Sequence, residues 1–245
     1  MSDATPSNRG RLRLNKGSTD YPAFLSRHFG SHAPDVIAAI GQLDILRNPK
    51  LALLCSSRCP GDPILKTYDL ARSLRDAGVT VIGGFHSPME QECLGLLLRG
   101  KQSVIVCPAR NLECIRLRAE WKKPLDEGRL LLLSPFDQRS RRMTAETAKT
   151  RNRFVAALAD RICIAYAEPG GKIDSLVREI LPWGKPVFTL DGESNSELIS
   201  LGVTPISIHD LTPLLAGLGE PRVRGNSNQS GKDETVSGHY FSDLQ

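Results

Sequence analysis

The sequence predicts an α/β fold: one doubly wound, mainly parallel sheet with helices on both faces. Three observations carry this. Short, continuous apolar runs recur at 51–55, 79–82, 103–107, 130–133, 162–166 and 187–190, and runs without polar alternation belong to strands covered on both faces. Amphipathic stretches at 63–77, 88–99, 111–127, 152–159 and 173–182 separate most of these runs, at the spacing of βαβ units. The chain has 245 residues, 40% of them hydrophobic, which is enough to bury one sizeable core of this kind.

Taken in order, residues 1–19 are polar and basic and read as a flexible arm. Residues 20–48 read as a short helical lead-in, because Val36, Ile37, Ile40, Leu43 and Leu46 fall near helical spacing. Residues 49–218 carry the alternating pattern and form the Rossmann-like domain. Residues 219–245 are rich in Gly, Ser, Asn and charge, poor in large apolar groups, and read as a disordered tail. No internal repeat breaks this plan.

Composition narrows the function. Thirty-two Lys and Arg against 27 Asp and Glu give a net charge of +5, too mild to imply nucleic-acid binding unless the cations cluster. Aromatic residues are 5%, low for a surface that stacks many bases. The six cysteines (Cys55, Cys59, Cys93, Cys107, Cys114 and Cys163) show neither Cys-x-x-Cys spacing nor a histidine at ligand spacing. They read as reduced cysteines, packed in a core and suited to a cytoplasmic protein. No apolar run approaches the ~20 residues of a membrane span. No metal, no cofactor and no catalytic residue is expected. Any catalysis would fall to carboxylates such as Glu168, Asp174 or Glu179.

In a sheet of this type ligands bind beyond the carboxyl ends of the strands, near the point where strand order reverses, so the loops after the strands are the places to search. The first strand runs into Cys55-Ser56-Ser57-Arg58-Cys59-Pro60-Gly61-Asp62-Pro63. Ser56 and Ser57 offer hydroxyls and Arg58 a guanidinium fork for phosphate, unless Arg58 is merely solvated. The second ends in Gly83-Gly84-Phe85-His86-Ser87-Pro88-Met89-Glu90. There the two glycines permit a tight turn or close backbone approach, and Ser87-x-x-Glu90 is a capping box. His86 either meets a ligand or finishes the turn. The fifth ends in Glu168-Pro169-Gly170-Gly171-Lys172, a glycine-rich entry to a helix with a cation beside it. It has neither Walker spacing nor the Gly-x-Gly-x-x-Gly fingerprint.

The most informative stretch is Lys149-Thr150-Arg151-Asn152-Arg153 followed by an apolar helix and strand. Arg139, Arg141, Arg142, Lys149, Arg151 and Arg153 face only Asp137 and Glu146 between 137 and 153. They form either a phosphate-contacting basic loop or a solvated one. The stretch 110–129 balances its signs and reads as an exposed helix.

These residues resemble the DprA/Smf family of DNA-processing proteins, within the wider Rossmann-like group that includes the LOG nucleotide hydrolases. Tyr21-Pro22-Ala23-Phe24-Leu25 and Ile40-Gly41-Gln42-Leu43-Asp44-Ile45-Leu46 look like its lead-in. Leu53-Leu54-Cys55-Ser56-Ser57-Arg58 is similar to its Val-Gly-Ser-Arg turn, with Ser56 in place of the glycine. The segment 83–90 is similar to its Ser-Gly-Leu-Ala-x-Gly-Ile-Asp, with Glu90 at the aspartate. Arg151-Asn152-Arg153 matches its Arg-Asn-Arg. The likeness covers roughly 21–205. Cys93-Leu94 replaces the family's Ala-His pair, and the winged-helix domain of many members has no counterpart before the polar tail. The resemblance implies single-stranded DNA binding in a basic pocket. With the loop readings above, the candidate DNA- or nucleotide-binding residues are Ser56, Ser57, Arg58, Gly83, Gly84, His86, Arg151, Asn152, Arg153, Gly170, Gly171 and Lys172, supported by Arg139, Arg141, Arg142 and Lys149. The resemblance also implies delivery of DNA to a RecA-type recombinase, and a homodimer. The alternative is a nucleotide sensor or LOG-like hydrolase in defence or signalling. Against hydrolysis, Val177 stands where the LOG pattern Pro-Gly-Gly-x-Gly-Thr-x-x-Glu places its glutamate.

Overall fold

Each apolar run becomes a strand: β3 (Lys50–Cys55), β4 (Thr80–Gly83), β5 (Val104–Val106), β6 (Leu130–Ser134), β7 (Arg161–Tyr166) and β8 (Val187–Leu190). A computed structural model provides the coordinates and describes residues 10–30, 33–113, 115–136 and 142–218. Three further strands extend the sheet: β1 (Arg11–Asn15), β2 (Val36–Gly41) and β9 (Thr204–Ile206). The helices are α1 (Phe24–Phe29), α2 (Gly61–Asp76), α3 (Pro88–Leu97), α4 (Ala119–Asp126), α5 (Ala145–Leu158), α6 (Lys172–Ile180), α7 (Ser196–Ser200) and α8 (Thr212–Leu215).

The nine strands pair in the order β1-β2-β6-β5-β4-β3-β7-β8-β9. Pairing is parallel from β6 to β9, while β2 runs antiparallel to both β1 and β6. From β3 the chain winds outward through β4, β5 and β6, then returns to β7 on the other side of β3. The reversal of strand order therefore lies between β3 and β7, and the crevice beyond their carboxyl ends is where such sheets take ligands.

Both faces of the sheet are covered, which is why the strands carry no polar alternation. Along β3, Leu51, Leu53 and Cys55 join one core with Leu70 and Leu74 of α2 and Cys93 and Leu97 of α3. Ala52 and Leu54 join the other, with Phe154 and Leu158 of α5 and Val177 and Ile180 of α6. Among the described residues no helix is long and apolar enough to cross a membrane.

Four expectations are corrected. The lead-in is helical only at α1 and in a short 3₁₀ turn at Leu43–Arg47; between them, 36–41 is a strand. Ile37 and Ala39 enter one core while Ala38 and Ile40 meet the other, so period two with both faces apolar imitates helical spacing. The basic arm is structured at β1, where the strand seals the open flank of β2. The helix expected over 111–127 is confined to α4, because the chain loops through 115–118 before Ala119. The helix expected at 152–159 begins seven residues earlier, at Ala145: Thr144 caps it, accepting from Thr147 N while Thr147 Oγ1 accepts from Thr144 N. The expected tail at 219–245 and the candidates Arg139 and Arg141 lie outside the described residues.

Candidate nucleic-acid interface

Three loops meet at the reversal point, and two side chains bolt them together. Glu90, buried in α3, accepts from Cys55 N at 3.0 Å with one carboxylate oxygen. With the other it accepts from His86 N at 2.8 Å and Ser87 N at 3.2 Å. Ser87 Oγ accepts from Glu90 N in return, so the expected capping box forms and also anchors the end of β3. Ser56, buried, accepts at Oγ from Glu168 N at 2.9 Å, tying the loop after β3 to the loop after β7.

Between these loops lies a cavity of about 590 Å³. Ser56, Ser57, His86, Glu90, Arg151, Asn152, Glu168, Gly171 and Lys172 line it, with Thr144 and Ala145 from the start of α5. Three helices, α3, α5 and α6, begin on its wall. The first-turn N–H groups of a helix carry partial positive charge and favour anions. Gly171, the N-cap of α6, has no side chain to occupy those groups.

Arg151 is the central cation. It is buried in α5; its Nε donates to Asn152 Oδ1 at 2.7 Å and Nη1 to the Cys107 carbonyl at 3.2 Å. Asn152 is thus a positioning residue for Arg151. Burial lowers the pKa of Arg151, an effect opposed by the nearby Glu90 carboxylate. The guanidinium stays charged in either case. Gly84 explains the seat: a Cβ there would stand 1.6 Å from Nη1 and 2.0 Å from Cζ. Its glycine makes room for Arg151 instead of admitting a ligand. The next residue, Phe85, holds a left-handed φ of 46° and is buried in the core, a strained turn that places His86 on the rim.

Other expected residues divide. Lys172 lines the cavity and, with Lys149, a smaller one of about 240 Å³ between α5 and α6. Gly170 supplies a turn at φ 66°, and Gly171 is required because a Cβ would meet the Glu168 carbonyl at 2.7 Å. Gly83 lies at the end of β4, where its carbonyl accepts from Cys107 N and a Cβ would crowd the Phe85 ring at 3.0 Å. Arg58 stands exposed at the rim, 3.8 Å from Glu168, and Arg142 is exposed without lining the cavity. Arg153 leaves the group altogether. Two residues along a helix turn the side chain by about 200°, so Arg153 covers Phe29 at 4.8 Å and pairs with Glu179. The three guanidiniums of 58, 151 and 153 therefore do not converge; Arg151 alone is inside.

Sequence reasoning missed a second cavity of about 330 Å³ that shares His86, Met143 and Arg151 with the first. Its other arginines come from 110–118, where carboxylates interspersed along the chain conceal a sorting that happens only in space.

Residues 13–204 match the family described as DNA recombination-mediator protein A. Among curated proteins no sequence matches. Among solved structures, DNA processing protein A (DprA) of Streptococcus pneumoniae is similar, with TM-score 0.67 and 19% identity over 84% of this chain and 75% of that one. DNA processing protein A of Helicobacter pylori, a structure describing a single-stranded DNA binding mode, has TM-score 0.67 and 20% identity over 86% of this chain and 96% of that one. A molybdenum cofactor binding protein of Rippkaea orientalis shares the fold more distantly, at TM-score 0.50 and 14% identity over 69% of this chain and 96% of that one. With the family match spanning most of the sequence and the Arg-Asn-Arg helix beside the strand-reversal crevice, the chain belongs to the DNA recombination-mediator protein A family.

Proposed function

We propose that this protein acts in DNA processing by holding single-stranded DNA at the crevice between β3 and β7. One observation carries the reading. A buried, oriented guanidinium, Arg151, forms the wall of a cavity on which three helices begin, and its Nη2 has no partner among the described residues. Fixed N–H donors and one pinned cation suit a phosphate diester. The binding described for the Helicobacter pylori relative supports the same ligand class. Lys172 and the backbone around Gly171 supply further contacts.

The test is a salt series of fluorescence anisotropy with a labelled oligonucleotide. Affinity falls with a log–log slope of about −0.7 per neutralised phosphate. Arg151→Ala weakens all sequences alike, by roughly 10- to 100-fold, the worth of a charge-assisted hydrogen bond. Absence of binding at low salt refutes the proposal.

Under this reading the protein works as a homodimer in the cytoplasm and passes DNA to a RecA-type recombinase. Sedimentation and recombinase filament assembly on coated DNA test the two partners. The free state of the five described cysteines fits that compartment. The mononucleotide alternative is separated by thermal shift: stabilisation by a mononucleotide but not by an oligonucleotide favours it. Hydrolysis has less support, since Val177 is fully buried in the core where the LOG pattern has its glutamate.

A further inference from the structure

The two cavities flanking Arg151 differ in charge. The larger sets Arg151 and Lys172 against the carboxylates of Glu90 and Glu168. The smaller is lined by Arg110, Arg116, Arg118 and Arg151 and by no carboxylate. Arg110 and Arg116 are exposed and have no acidic partner among the described residues. Arg118 has only a solvent-exposed approach to Glu120, at 3.8 Å, which counts for little. For a polyanion held at the first cavity, the smaller one adds a cationic surface that no carboxylate offsets.

Its remaining wall suits a base. Phe85, Leu94, Val106 and Ile115 are buried and apolar. The guanidinium of Arg118 lies over the Trp121 ring at 5.1 Å, a planar stack of the kind on which unpaired bases settle. The Trp121 indole N–H is buried without an acceptor, an unmet donor in this wall. The volume of about 330 Å³ falls at the lower end of ligand pockets, near 300 Å³.

We propose that this second cavity is a nucleotide subsite. A strand held at the first cavity continues past His86, Met143 and Arg151 into the second, with its backbone against Arg110 and Arg116 and a base against the Arg118–Trp121 stack. The proposal rests on the single-stranded DNA reading and extends the contact beyond the crevice.

Anisotropy with a thymidine dinucleotide and a thymidine dodecanucleotide tests it on the full chain, comparing wild type with the double variant Arg110→Ala, Arg116→Ala. Both side chains are exposed, so the variant keeps its fold, which a thermal melt verifies. The dodecanucleotide loses affinity by roughly tenfold or more, and its salt slope shrinks by about 1.4, two phosphates at ~0.7 each. The dinucleotide, which fills only the first cavity, is unchanged. Restoring charge with lysine at both positions restores the slope. Equal loss at both lengths, or loss at neither, overturns the subsite while leaving the crevice as a DNA site. If wild type binds neither oligonucleotide, the DNA reading fails and the subsite fails with it.

Discussion

Gly84→Ala is the sharpest perturbation of the site, because the change adds one methyl group and alters no charge. The new Cβ would stand 1.6 Å from Arg151 Nη1, 2.0 Å from Cζ and 2.6 Å from Nε. These distances leave no room for a guanidinium, so Arg151 must leave its seat. The backbone at Gly84 lies outside the left-handed region and itself tolerates alanine. Displacement breaks the bonds from Nε to Asn152 and from Nη1 to Cys107 O. Losing two hydrogen bonds from a charged group, with the Cys107 carbonyl left unpaired by its side-chain donor, costs about 2–4 kcal/mol of stability. The same displacement removes the fixed cation from the crevice, so oligonucleotide affinity falls roughly 10- to 100-fold and the salt slope by about 0.7. The comparison variant is Gly95→Ala in α3, where a Cβ meets nothing within 4 Å. It gains about 0.5–1 kcal/mol from helix propensity and leaves binding alone. The two effects of Gly84→Ala are coupled through one side chain, so in Arg151→Ala the added methyl costs far less, and a double-mutant cycle of thermal or urea melts shows the non-additivity. A Gly84→Ala protein with wild-type stability, affinity and salt slope refutes the placement of Arg151.

Arg153→Ala separates the two arginines of the motif: it removes the pairing with Glu179 and the cover over Phe29, lowering stability by about 0.5–1.5 kcal/mol, while oligonucleotide affinity measured by anisotropy stays within about twofold. Lys185 donates to the carbonyls of Ala156, Ala157 and Ala159 at the end of α5, and burial, reinforced by Lys50 and opposed by Asp160, pushes its ammonium down to about 8. Between that value and the ordinary 10.5 the unfolded chain binds more protons than the folded one, so this group's contribution to stability increases as pH rises across the window. Urea melts of Lys185→Met lose that increment relative to wild type. The Cys59 thiol accepts a hydrogen bond from Cys55 that lowers its pKa, while burial pushes Cys93, Cys107 and Cys163 up to about 12. Brief iodoacetamide treatment followed by peptide mass spectrometry therefore finds Cys59 modified first among the five described cysteines.

Much of the sheet was legible because buried parallel strands announce themselves as unbroken apolar runs. β2 was not, since Val-Ile-Ala-Ala-Ile-Gly alternates between two apolar cores and leaves no polar face to mark its period. The start of α5 was hidden by reading Arg and Lys as loop. The helix formers Ala145, Glu146 and Ala148, with Thr144 before them, were the available signal. At the site, Glu90, Ser87 and Arg151 follow from local patterns of capping and motif. The outward turn of Arg153 follows from helix geometry once the element is known to be continuous. The second cavity follows from no local pattern, because its walls come from β5, the loop before α4 and α5, which meet only in the folded sheet.

The Glu90 and Ser56 ties have a consequence for how a ligand is received. Because one carboxylate and one hydroxyl clamp three separate loops, the receptor is assembled when the chain folds and little ordering remains when a strand arrives. Association at the crevice then proceeds as rigid docking, with a rate set by electrostatic attraction and sensitive to ionic strength. A protein loosened at Glu90 meets the same strand with an unassembled rim, so ordering is added to the binding step and both association rate and affinity fall.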